Sequence, residues 1–180
     1  MAKILFLIAP KMFRDEEFFV PFEAFKASGH DVTVVSTQKG TASGKLGGAF
    51  KVHKTIDDVA ADFYEALVIA GGPGSKEFLW PSDSVKQLIK DFSVKNKIVA
   101  AICSAAALPA IAAIAQGKKM TCFHGELEIA HLKAAQAIYT AENVTTDGTL
   151  ITANGPAAAN EFAQKILEQL RPNSWVSILF

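Results

Sequence analysis

Lys97-Ile98-Val99-Ala100-Ala101-Ile102-Cys103-Ser104-Ala105-Ala106-Ala107-Leu108 is a continuous apolar run that turns, at one residue, into a string of small side chains. Its first part reads as a strand buried on both faces. The alanines that follow predict a helix over Ala105–Ala115, closed by Gly117. Cys103 at the junction then stands on a tight strand-to-helix turn at the carboxyl edge of a sheet, and Ala100, Ala101, Ser104 and Ala105 leave room around it. The partial positive charge of a helix amino terminus would favour its thiolate and make it a nucleophile. The same position also suits an inert cysteine that packs as a small hydrophobe.

Working outward, the same alternation recurs. Strands are predicted over Lys3–Ala9, Asp31–Ser36, Ala66–Ala70, Thr121–Phe123 and a Val144–Ala153 hairpin turning at Asp147-Gly148. Helices are predicted over Glu16–Ser28, Asp83–Asn96, Glu126–Ala135 and Pro156–Leu170. Strand and helix in alternation call for an α/β fold: a three-layer sandwich with a mostly parallel, flavodoxin-like sheet, helices on both faces and a cysteine nucleophile elbow. With 180 residues and no repeat or linker, a single domain over 1–180 is expected. Ligands of such sheets bind beyond the carboxyl ends of the strands.

Eighteen basic and eighteen acidic side chains leave no net charge and no like-charge block. Nucleic acid and anionic membranes are therefore not expected partners. Met1–Ala9 lacks the cleavage site of a secretory signal, and the Ala105–Ala115 stretch is too short to span a bilayer. Two cysteines, Cys103 and Cys122, are too few for a disulfide framework and lack zinc spacing, so a cytoplasmic protein without metal or other cofactor is expected. Cys122 reads as a core strand residue. The apolar tail Asn173–Phe180 suggests packing on the domain or into a homodimer.

Gly71-Gly72-Pro73-Gly74 follows an apolar strand and either brings bare N–H groups to a ligand or simply needs positive φ. Strand one ends in Ala9-Pro10-Lys11 without dinucleotide glycines, and Gly40–Leu46 lacks the spacing of a phosphate loop.

Phe13-Arg14-Asp15-Glu16-Glu17-Phe18-Phe19-Val20-Pro21, Ile69-Ala70-Gly71-Gly72, Ala100-Ala101-Ile102-Cys103 and Asn154-Gly155-Pro156 occur in one order over nearly the whole chain. In this the chain resembles the ThiJ/PfpI family of the class-I glutamine-amidotransferase-like superfamily. The resemblance implies a reactive Cys103, an acid at Glu17 against its sulfur with Glu16 as the alternative, and an oxyanion hole from the backbone N–H groups of Gly72 and Ser104. A like charge beside a thiolate should raise the pKa of that carboxyl group. Family proteases carry His directly after the nucleophile, where this chain has Ser104. In the deglycase branch a His lies where Phe123 falls, so His124 is a candidate base only if the strand is bulged or the alignment slips by one residue. That branch also has Arg where Asn154 falls.

The resemblance implies cofactor-free processing of 2-oxoaldehydes in the stress response, glyoxalase- or deglycase-like, with Cys103 as nucleophile and Glu17 as proton shuttle. The alternatives are a redox-sensing or chaperone-like stress protein through Cys103 oxidation, and an intracellular peptidase or amidase. The corresponding partners are a small-molecule aldehyde or a peroxide, with a second copy of the chain in a homodimer.

Overall fold

The computed structural model describes residues 1–171. In chain order the first elements are β1 (Lys3–Leu7), β2 (Lys11–Phe13), α1 (Asp15–Ala27), β3 (Asp31–Ser36), β4 (Gly40–Gly44), β5 (Ala49–Val52) and β6 (Lys54–Thr55). There follow β7 (Ala66–Ile69), α2 (Asp83–Val94), β8 (Ile98–Ile102), α3 (Leu108–Ile111), β9 (Lys119–Met120) and α4 (Glu126–Ala134). The described chain closes with β10 (Ile138–Tyr139), β11 (Val144–Asp147), β12 (Leu150–Ala153) and α5 (Ala159–Leu170).

Seven strands form the central sheet in the order β11-β12-β8-β7-β1-β3-β6, parallel except for the β11–β12 hairpin. Every residue of β7, β8 and β12 is buried, as their unbroken apolar runs predict for strands covered on both faces. From β1 the chain steps through α1 to β3, and from β7 it steps through α2 to β8 in the opposite direction. Right-handed crossovers therefore put α1 and α2 on opposite faces of the sheet. The reversal lies between β1 and β7, and the segments beyond their carboxyl ends carry the site.

Phe18 holds the start of α1 on this sheet, its ring edge-on to Phe6 at 5.0 Å and to Phe13 at 5.4 Å. Pro21, inside α1, has no N–H to give to the Glu17 carbonyl, so one rung of the helical ladder is missing in the turn that carries Glu17.

Three local expectations are corrected. The helix predicted over Ala105–Ala115 is a 3-10 turn over Cys103–Ala107 followed by the short α3. Pro109 cannot extend an α-ladder backward, and Ala113, at φ 60°, ends the segment. Thr121–Phe123 is not a strand. Pairing stops at Met120, after which the Phe123 N–H donates to the Cys103 carbonyl at 3.1 Å and the chain crosses the end of the sheet. Cys122 is buried in that crossing segment rather than in a strand. A second sheet, β2-β4-β5, was not anticipated. The apolar tail Asn173–Phe180 lies outside the described residues.

Candidate active site

The backbone of Ile102 is extended, whereas Cys103 has φ 63°. A left-handed conformation at a residue with a Cβ costs on the order of 1–2 kcal/mol, so the elbow holds its cysteine in a geometry that the surrounding packing must enforce. Ser104 supplies much of that enforcement with its side chain. Its hydroxyl donates to the Gly72 carbonyl at 2.9 Å and shares a 2.7 Å hydrogen bond with the Ser75 hydroxyl, while the Trp80 indole N–H donates to the Ser104 carbonyl at 3.1 Å. The elbow and the glycine turn are thus joined into one unit.

The two glycines are required by close approach. A Cβ on Gly71 would lie 2.6 Å from the Ile102 carbonyl oxygen and 2.8 Å from the Cys103 Cβ; one on Gly72 would lie 2.5 Å from the Arg14 nitrogen. Gly72 also has φ 97°. Both conditions are met only by glycine.

Glu17, in the first turn of α1, is fully buried, and its Oε2 accepts the Gly71 N–H at 2.9 Å. Among the described residues its Oε1 meets no N–H or O–H donor, which leaves the Cys103 thiol as its polar neighbour. Burial pushes the Glu17 carboxyl up to about 7, against the bonds from Cys103 and Gly71 that favour the charged form. Desolvation is therefore the main cause, not the like charge expected from the sequence. Glu16 turns outward instead and is held by the Arg14 guanidinium at 2.8 and 3.0 Å.

The thiolate expectation is corrected. Burial, then the Glu17 charge, push the Cys103 thiol up to about 12, and the backbone N–H groups of Ser104 and Gly72 pull it only partly back. A five-residue 3-10 turn supplies little of the aligned dipole on which the expectation rested. Cys103 and Glu17 form a coupled pair that carries at most one negative charge at neutral pH.

The pair opens into a cavity of about 340 Å³ lined by Arg14, Glu17, Lys45, Gly72, Pro73, Lys76, Cys103, Ser104, Phe123, Glu128 and Pro156. Phe123 lines this cavity, whereas His124 does not; its exposed ring packs edge-on to Tyr139 at 6.3 Å. Asn154 also stays outside, its amide donating to Asn143. The sequence reading missed Lys45, Lys76 and Glu128. Lys45 sits on the turn between β4 and β5, which the Asp15 carboxylate pins by accepting the Leu46 and Gly48 N–H groups, each at 2.7 Å. Glu128 occupies the first turn of α4, an ordinary place for an acid at a helix start, so its position gave no hint of a buried pair with Lys76.

The DJ-1/PfpI family model matches residues 2–169. The chain belongs to the DJ-1/PfpI family. It is 46% identical over 96% of its length to an uncharacterized protein of Methanocaldococcus jannaschii, covering 84% of that protein. It is 31% identical to a deglycase of Pyrococcus horikoshii, over 94% of this chain and 99% of that one. Among solved structures, a ThiJ/PfpI domain protein from Brachyspira murdochii superposes with a TM-score of 0.87 at 34% identity, over 94% of this chain and 98% of the other. The elbow, the glycine turn and the first turn of α1 all fall within the stretch matched by the DJ-1/PfpI model.

Proposed function

We propose that this DJ-1/PfpI protein is a deglycase-type enzyme that converts 2-oxoaldehydes to 2-hydroxy acids without a cofactor. The observation that carries this reading is the buried Cys103–Glu17 pair, in which a carboxyl group poised at about 7 stands beside a protonated thiol. A group with a pKa near the working pH is the most effective proton carrier. Relatives named deglycase at about this distance support the same reading.

The steps follow from those two groups. Ionised Glu17 takes the thiol proton as the sulfur bonds to the aldehyde carbon, and the resulting oxyanion is held by the Gly72 and Ser104 N–H groups until it receives that proton. Glu17 then moves a proton from the former aldehyde carbon to its neighbour while the hydroxyl proton passes to the former ketone oxygen, which leaves a thioester of the 2-hydroxy acid. Water cleaves the thioester, returning the thiol and releasing the acid. Methylglyoxal plus water thus becomes lactate, with no external oxidant or reductant. The buried, protonated thiol is a slow target for peroxide, which places the sensor reading second.

The experiment is lactate formation from methylglyoxal by the wild type, Cys103→Ser and His124→Ala. Turnover is expected in the wild type and in His124→Ala and is lost in Cys103→Ser. Equal rates in the wild type and Cys103→Ser, with peroxide still converting Cys103 to sulfinate, would replace the enzyme by the sensor.

A further inference from the structure

The same cavity is lined by a second buried carboxylate. Glu128 has no exposed surface, and the Lys76 ammonium lies 2.6 Å from its Oε1. Among the described residues neither oxygen of Glu128 receives any other donor. A carboxylate this dry holds its single cation firmly, because either charge left alone would bear the full desolvation penalty. Trp80 and Phe123 flank the same ammonium, with ring centroids 5.5 and 5.9 Å away. Lys76 is therefore fixed in place, yet its side chain is 36% exposed and it lines the cavity. An ammonium group has three hydrogens, and Glu128 occupies one direction only.

Lys76 is also tied to the nucleophile. It belongs to the turn Ser75–Leu79, whose Ser75 hydroxyl bonds the Ser104 hydroxyl beside Cys103. Of the other cations on the cavity wall, Arg14 is engaged by Glu16, and Lys45 has no ionic partner among the described residues. Glu17, with a pKa of about 7, only partly offsets this charge at neutral pH. The cavity therefore has an excess of positive charge, with one cation rigidly placed.

We propose that Lys76, positioned by Glu128, is the residue through which the Cys103 pocket recognises a carboxylate, so that its ligands are short carboxylic acids, including the 2-hydroxy acid released by the reaction above. This deepens the deglycase-type reading and rests on Cys103 being the reactive centre of the pocket. The small volume and the apolar flanks of Phe123, Pro73 and Pro156 suit a short carbon chain bearing one negative charge.

The test uses two alkylating reagents of nearly equal size, anionic iodoacetate and neutral iodoacetamide, each of which bonds its methylene carbon to the Cys103 sulfur with loss of iodide. The ratio of their rates is referred to the same ratio for the protein unfolded in urea. In the wild type iodoacetate is expected to be favoured by about fivefold or more after this correction. Lys76→Met should lose most of that preference, and Lys76→Arg should keep it. Should Lys76→Met fail to fold because Glu128 is left unpaired, the double variant Lys76→Gln, Glu128→Gln removes both charges and should also lose the preference. A wild-type ratio equal to that of the unfolded chain, or a preference retained in the Lys76→Met or double variant, overturns the proposal. Labelling does not depend on turnover. A protein that forms no lactate but favours iodoacetate loses the enzyme reading alone, and one that forms lactate with no preference loses the carboxylate site alone.

Discussion

Glu17 and Glu128 are equally buried carboxyl groups on one cavity, yet their neighbours differ in charge. Glu17 faces a thiol and one backbone N–H, and its affinity for a proton rises until it titrates at about 7. Glu128 faces an ammonium at 2.6 Å. A carboxyl group can tolerate a dry pocket by taking a proton or by keeping a cation. The first arrangement makes a proton carrier beside the nucleophile, and the second makes a fixed charge that a ligand can read.

The sharpest way to break this contrast is to remove the proton from one side of it. Glu17→Gln should lower kcat/KM for methylglyoxal by about 10²–10⁴, the range for loss of a general acid–base group. Because Glu17 must be ionised to accept the thiol proton, the wild-type rate should rise with pH through about 7. A pH–rate profile without that limb would show that Glu17 does not carry the proton.

Stability offers the next test. The Glu17 pKa is raised from 4.5 to about 7 in the fold, so its neutral form is the one the fold prefers. Its contribution is therefore fully present below the unfolded value and is lost as pH rises through about 7. Between pH 4.5 and pH 8 the wild type should lose up to about 3 kcal/mol more than Glu17→Gln. Urea titrations at the two pH values measure this, and parallel behaviour of the two proteins would refute the desolvation account.

At the second carboxylate, Lys76→Ala leaves Glu128 buried without its cation. Breaking a fully buried pair costs about 3–5 kcal/mol, and the partial exposure of Lys76 reduces the expectation to about 2–3 kcal/mol. Adding Glu128→Gln should restore most of that loss in the same urea assay. If the double variant is as unstable as Lys76→Ala, the loss comes from packing and not from the stranded charge.

The smallest effect concerns the elbow that both walls serve. At φ 63°, Cys103→Gly should be more stable than Cys103→Ala by about 1 kcal/mol, since glycine adopts this conformation without steric cost. Equal stabilities would mean that the left-handed turn stores no strain.

Much of the frame was legible in neighbouring residues. The apolar runs of β1, β7 and β8, the glycine turn after β7 and the cysteine after β8 are all local patterns, because a doubly covered strand needs consecutive apolar residues and a crowded turn needs glycine. The placement of Glu17 inward and Glu16 outward came from the resemblance of the Arg14–Pro21 stretch, since periodicity does not separate adjacent acids at a helix start. The helix after Cys103 was read too long because the alanines favour a helix while Pro109 limits it, and composition alone does not weigh one against the other.

By itself, then, the sequence determined the order of β1, β3, β7, β8 and the β11–β12 hairpin and of the helices α1, α2, α4 and α5 between and after them, the edge of the sheet where Cys103 stands and the family to which that order belongs. These follow from local periodicity and from backbone shapes that only particular residues adopt. Only the tertiary structure decided that the Cys103 thiol is pushed up and not down, that Phe123 and not His124 meets the cavity, and that Lys76 and Glu128 form its second charged wall. Glu17 meets a backbone N–H 54 residues away, and Lys76 meets Glu128 across a comparable gap in the chain. Protonation and charge pairing depend on how much water the folded chain excludes and on which distant groups it brings together, and neither quantity is written in adjacent residues.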